Sequence, residues 1–238
     1  MKFRQNNQFS GIADTLAGSS AQINEGLRAY MLRVYNYMAV ALALTGVVAF
    51  GASTSETLMQ TIYGTPLRYV VMFAPLGVVF FLSYKLQSLS AQAAQVWFWA
   101  FAGIMGLSLS YIFLAYTGES VALTFFVTSA AFAGLSLVGY TTKKDLSGMG
   151  TFLIMGVIGL IIASVVNLFL ASSSLHFAIS ALGVLIFAGL TAYDTQRIKH
   201  TYLAFGHNEK LAIMGALSLY IDFINLFIHL LQFMGERR

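Results

Sequence analysis

Residues 211–233 read LAIMGALSLYIDFINLFIHLLQF. A bilayer core is crossed by about 20 apolar residues in a helix, so this run is long enough to span one. It also carries Gly215, Ser218, Asp222, Asn225, His229 and Gln232 at alternating spacings of three and four. That spacing puts them on one helical face, while the remainder is Leu, Ile, Phe and Met. A polar stripe inside a bilayer has to face protein or water. The sequence therefore predicts a membrane bundle with this last helix at its centre.

The rest of the chain agrees with that reading. Of 238 residues, 58% are hydrophobic and only 9% charged, against about 25% charged in an ordinary soluble domain. Mean hydropathy is +0.76. Six further apolar runs precede the last, at about 35–53, 67–84, 93–116, 121–140, 149–171 and 175–194. They are continuous rather than alternating, which favours helices over barrel strands. The expected fold is an all-α membrane protein of seven transmembrane helices. Residues 1–23 are polar and read as a flexible cytoplasmic tail, and 24–238 as one transmembrane domain. Thr54–Pro66 is expected to be the sizeable outer loop, and Pro75 to kink the second span.

Lys and Arg give the orientation. Lys2, Arg4, Arg28, Arg33, Lys85, Lys143, Lys144, Arg197, Lys199 and Lys210 fall on one side, and Arg68, Arg237 and Arg238 on the other. The N-terminus is accordingly expected in the cytoplasm. A rival arrangement has six spans and a re-entrant last segment, which would return Arg237 and Arg238 to the cytoplasm. The absence of cysteine excludes disulfides, thiolate metal ligands and a Cys nucleophile. The basic residues form no patch, so nucleic acid is not an expected partner; the lipid bilayer is. No phosphate loop, nucleophilic triad or zinc-helix motif is present, and the chain is read as a non-enzyme requiring no cofactor.

Charge within a span is the strongest functional pointer available. Spans one to five have none in their interiors, whereas Asp194 closes span six and Asp222 lies within span seven. A turn near residues 205–208 would bring both carboxylates to similar depth in the cytoplasmic half of the bundle. Two close acids repel each other and share one proton, which makes the pair a proton sensor. Fully ionised, they offer hard oxygen ligands of the kind that suits Ca²⁺. The plainer alternative for Asp194 is an i,i+3 pair with Arg197. His229 and His176 read as packing residues rather than metal ligands.

Thr191–Gln196 (TAYDTQ), Leu219–Phe227 (LYIDFINLF) and Gly139–Ser147 (GYTTKKDLS) together resemble the Bax-inhibitor-1, or transmembrane Bax-inhibitor-motif, family in its bacterial branch. The resemblance covers nearly the whole chain after about residue 25. It implies a seven-helix fold with the last helix central, and a pH-sensitive calcium leak gated by the pair Asp194 and Asp222. It also implies a basic latch at the cytoplasmic end of span two, here Lys85, where some members carry Arg. Bacterial relatives have been linked to restraining a membrane AAA protease, which supplies the alternative reading of a membrane regulatory protein. A two-aspartate intramembrane protease ranks below both, because Asp222 lacks the preceding Gly-x-Gly of that chemistry. The site expectations are thus Asp194 and Asp222 as gate and Ca²⁺ ligands, Lys85 as latch, and Ser218, Asn225 and His229 as the lining stripe. The expected location is a bacterial inner membrane.

Overall fold

A computed structural model describes the backbone of residues 2–85 and 88–238, and side chains from Gln22 onward except those of 83, 86 and 87. The fold is all-helical: α1 (Lys2–Ser53), α2 (Glu56–Tyr63), α3 (Leu67–Lys85), α4 (Ala91–Leu109), α5 (Ile112–Ala115), α6 (Gly118–Thr141), α7 (Ser147–Leu170), α8 (Ser173–Phe205) and α9 (Glu209–Met234). Six of these stretches are long and apolar enough to cross a membrane, and seven are if the bent pair α2–α3 forms one span. The expected 1–23 tail lies, apart from its last two residues, outside the residues whose side chains are described.

Short polar residues set where the helices begin. Ser55, Ser90, Thr117 and Ser172 each accept a hydrogen bond from the backbone N–H three residues on, and Asn208 accepts from Lys210 and Leu211. Each cap occupies donors that a helix start would otherwise leave bare. At the other end, α8 stops at Gly206, whose φ of 68° is in the left-handed region that favours glycine.

Three local expectations change. The 54–66 loop contains a helix: Ser55 caps α2, and Met59 and Ile62 bury its inner face. The sharp bend, 83°, then falls between α2 and α3, next to Pro66, whereas α3 runs on through Pro75. Span six does not end at Asp194. Nothing in 195–205 breaks a helix, so α8 continues to Phe205 and carries Arg197, Lys199 and His200 out to the polar side.

The elements sort to two ends. At one, Arg33 and Tyr37 of α1 bind Glu209, Lys199 bonds to the Tyr140 carbonyl, and Gln196 holds the α6–α7 turn through Lys144 O and Leu146 N. At the other, the C-terminus pairs with the α5–α6 turn: Thr117 N–H donates to Glu236 O and Arg238 N–H to Ala115 O, both at 3.1 Å. Arg237 also reaches His176 at the start of α8, 3.3 Å away. The unbroken α9 runs from the first end to the second, packing on α1, α4, α6 and α8 on the way.

Candidate functional site

The site is the α8–α9 hairpin. Its register can be read from four pairs of residues. Ser180 donates to Gln232 Oε1 at 3.3 Å; Gly183 lies against the His229 ring; Ser218 lies beside Asp194, both taking a bond from Arg197; Gly215 lies against Ile198. As one partner climbs α8, the other descends α9 by the same amount. The polar stripe of α9 therefore faces α8, and the small residues Gly183 and Gly215 leave room for it. A Cβ on Gly183 would collide with the His229 ring, which stacks on Phe187 with ring centres 5.6 Å apart.

This register refines the expected depth match. Asp194 is level with Ser218, so Asp222, four residues further along α9, lies one helical turn deeper, or about 6 Å. Both aspartates are buried. Arg197 Nη2 sits 3.3 Å from Asp194 Oδ2 and 3.0 Å from Ser218 Oγ, joining the two helices above the deeper acid. The i,i+3 pair foreseen as a plain alternative is therefore formed, and it reaches α9 as well.

Asp222 has less support. Its Oδ2 is buried without a hydrogen-bond partner, and the charges that act on it are those of Asp194 and Arg197. A carboxylate in that position has two neighbours of opposite sign and no ligand of its own. Asp222 thus lies within reach of the Asp194 charge, one turn deeper than the similar depth the spacing predicts.

The remaining sequence candidates divide. Ser218 joins the acids through Arg197. Asn225 donates to the carbonyl of Ile221 in its own helix, 2.8 Å away, and His229 lies toward the opposite end with Nδ1 buried and unpartnered. Lys85 is exposed at the end of α3, and its charge is not among those acting on either aspartate. Gln196 is the residue whose role the sequence did not disclose: its amide holds both a donor and an acceptor of the α6–α7 turn, 2.8 Å each. Among the described residues no group of three or more His, Cys, Asp or Glu is gathered. Ca²⁺ takes six to eight oxygens, and two carboxylates with the Ser218 hydroxyl supply fewer than that.

The family profile described as "Inhibitor of apoptosis-promoting Bax1" matches residues 27–238. The chain belongs to the Bax-inhibitor-1 family. It is 50% identical over 227 residues to the protein RP147 of Rickettsia prowazekii (strain Madrid E), covering 94% of this chain and 96% of that one. A Caulobacter vibrioides protein is 48% identical, with 91% and 92% covered. The inner membrane protein YbhL of Escherichia coli (strain K12) is 43% identical, with 92% and 97% covered. The three-motif resemblance seen in the sequence is thereby established, and the chain is a membrane protein of this family.

Proposed function

We propose that this protein is a pH-sensitive calcium (cation) leak of a bacterial inner membrane, gated by Asp194 and Asp222. The observation that carries the reading is the unpartnered, buried Oδ2 of Asp222 within electrostatic reach of Asp194. In this reading the chain has seven spans, α2–α3 forming one bent span, with α9 central. The N-terminus is cytoplasmic, in keeping with the basic residues Arg33, Lys199 and Lys210 near the α8–α9 turn. YbhL, by its name an inner membrane protein, supports the location.

The mechanism follows from charge. With one proton shared by the acids, Arg197 balances the remaining negative charge and the hairpin stays closed. Raising the pH removes that proton, leaving two carboxylates against one guanidinium, and their repulsion favours a state in which the helices separate. A cation entering between them is stabilised by both carboxylates and by Ser218, so the open path attracts the ion it passes. The only bond that changes is the carboxyl O–H, whose proton passes to water.

Calcium flux into dye-loaded liposomes tests this with the wild type, Asp194→Asn and Asp222→Asn. Wild-type flux is expected to rise from about pH 6 to about pH 8, and each substitution to flatten that dependence. Flux that rises as pH falls would contradict the gating sign. No flux above empty liposomes at any pH would overturn the leak itself and favour the protease-restraining role.

A further inference from the structure

α1 and α6 both pack on α9 but not closely on each other, and an apolar groove remains between them. Its wider part, about 750 Å³, is bounded by Arg28 to Ala43 on α1 and Phe125 to Tyr140 on α6. A narrower part, about 480 Å³, continues to Ala49 and Gly118. The two share Leu42, Ala43, Phe125 and Phe223, so α9 supplies part of the floor through Phe223, next to Asp222.

Three features identify the occupant. The first is length: from Arg28 to Ala49 a helix rises about 32 Å, close to a bilayer core of about 30 Å, and the wider part alone covers one leaflet and its headgroup level. The second is polarity. Among the lining hydroxyls, Ser129 donates to the Phe125 carbonyl, Ser136 accepts from Thr195 and Thr45 is bonded to the Ala102 carbonyl and Tyr220, and the rest of the wall is mainly hydrocarbon. The third is charge at one mouth. Arg28 is exposed with no ion pair among the described residues, and Lys199 lies over Tyr140 with its Nζ 5.3 Å from the ring centre.

We propose that this groove is a binding site for an acidic phospholipid, with an acyl chain between α1 and α6 and the phosphate held by Arg28 and Lys199. The site is independent of ion conduction, although its floor adjoins Asp222.

Native mass spectrometry of the full chain with phosphatidylglycerol and phosphatidylcholine of identical acyl chains tests the proposal. The wild type is expected to retain the acidic lipid at least about fivefold better, the worth of one cationic side chain at a membrane surface. Arg28→Gln, a change at an exposed position, should reduce that preference several-fold. Ala133→Phe, at an accessible groove position, should lose both lipids about tenfold, while Ile162→Phe on the outer face of α7 should lose neither. Equal retention of the two lipids by the wild type would overturn the proposal, as would undiminished retention by Ala133→Phe. A dimer dissociated by Ala133→Phe would also overturn it, assigning the groove to a second copy of the chain.

Discussion

The helices α7 and α9 are nearly the same length, and α7 contains the more apolar stretch, yet 67% of the α9 stretch is buried against 11% of that of α7. In water the order would be reversed. Within a bilayer the lipid is as apolar as leucine, so hydrophobicity gives a helix no reason to leave it, while a polar stripe does. α7 accordingly packs chiefly on α8 and turns Phe152, Met155, Ile162 and Phe169 outward, whereas α9 packs on four helices. Two glycines show the contrast, although Gly150 and Gly156 on the face of α7 toward α8 are covered by Tyr193 and Ile186. Gly183 of α8 has no room for a Cβ beneath His229 of α9, but Gly159 of α7 has open space.

The largest effect should come from filling that space. Gly183→Leu is expected to cost about 3 kcal/mol or more, because a ring on a packed helix has nowhere to go. Gly159→Leu should stay within about 0.5 kcal/mol. Unfolding of the two variants in the same detergent checks the contrast, and equal losses would mean that α7 is packed after all. Next in size is Asp222→Asn, which preserves shape and removes charge. An ionised carboxylate at a helix centre costs about 2.5–3.5 kcal/mol on insertion scales, and a protonated one far less. The variant should therefore be more stable than the wild type by about 1–3 kcal/mol near pH 8, with the gap closing as the pH falls toward 5. A gap that widened on acidification would mean that Asp222 has a partner favouring its charge.

How much of this was legible in the sequence depended on whether the signal was local. The stripe of α9 is a spacing within one helix, and it was legible as a face turned toward protein or water; that it meets α8 follows from the short turn that makes the two neighbours. The acid pair followed from the same turn, but its one-turn offset did not. That offset depends on where Gly206 and Asn208 place the turn, and on Gly183 and Gly215 admitting His229 and Ile198. The helix within 54–66 was not legible because its eight residues bury only Met59 and Ile62, too few to set a helical period against the closing Pro66. The ties of Arg33 and Tyr37 to Glu209, 2.6 and 2.5 Å, join residues some 170 positions apart and have no signature along the chain. The groove between α1 and α6 is a gap between two helices, and no residue pattern announces a gap.

The smallest effect sharpens the comparison through a second acid. Asp145 stands just before α7, exposed, where Asp222 is enclosed. Hydrogen bonding from Ser147, including its backbone N–H at 2.9 Å, holds the Asp145 carboxyl below the usual carboxylate range. A carboxyl lowered in the folded state contributes stability that is present above its ordinary value and is lost as pH falls through the lowered one. The first turn of α7 should therefore exchange its amide hydrogens faster at acid pH relative to neutral pH, after correction for intrinsic exchange, and Asp145→Asn should remove most of that difference. Asp222→Asn has the opposite sign, since there the charged form is the costly one. One acid at the membrane surface and one within it thus respond to the same change of pH in opposite directions, and exchange measured across α7 and α9 in a single acid titration would register both. If both helices loosened together on acidification, the division between a lipid-facing α7 and an enclosed α9 would not describe how the two acids are held.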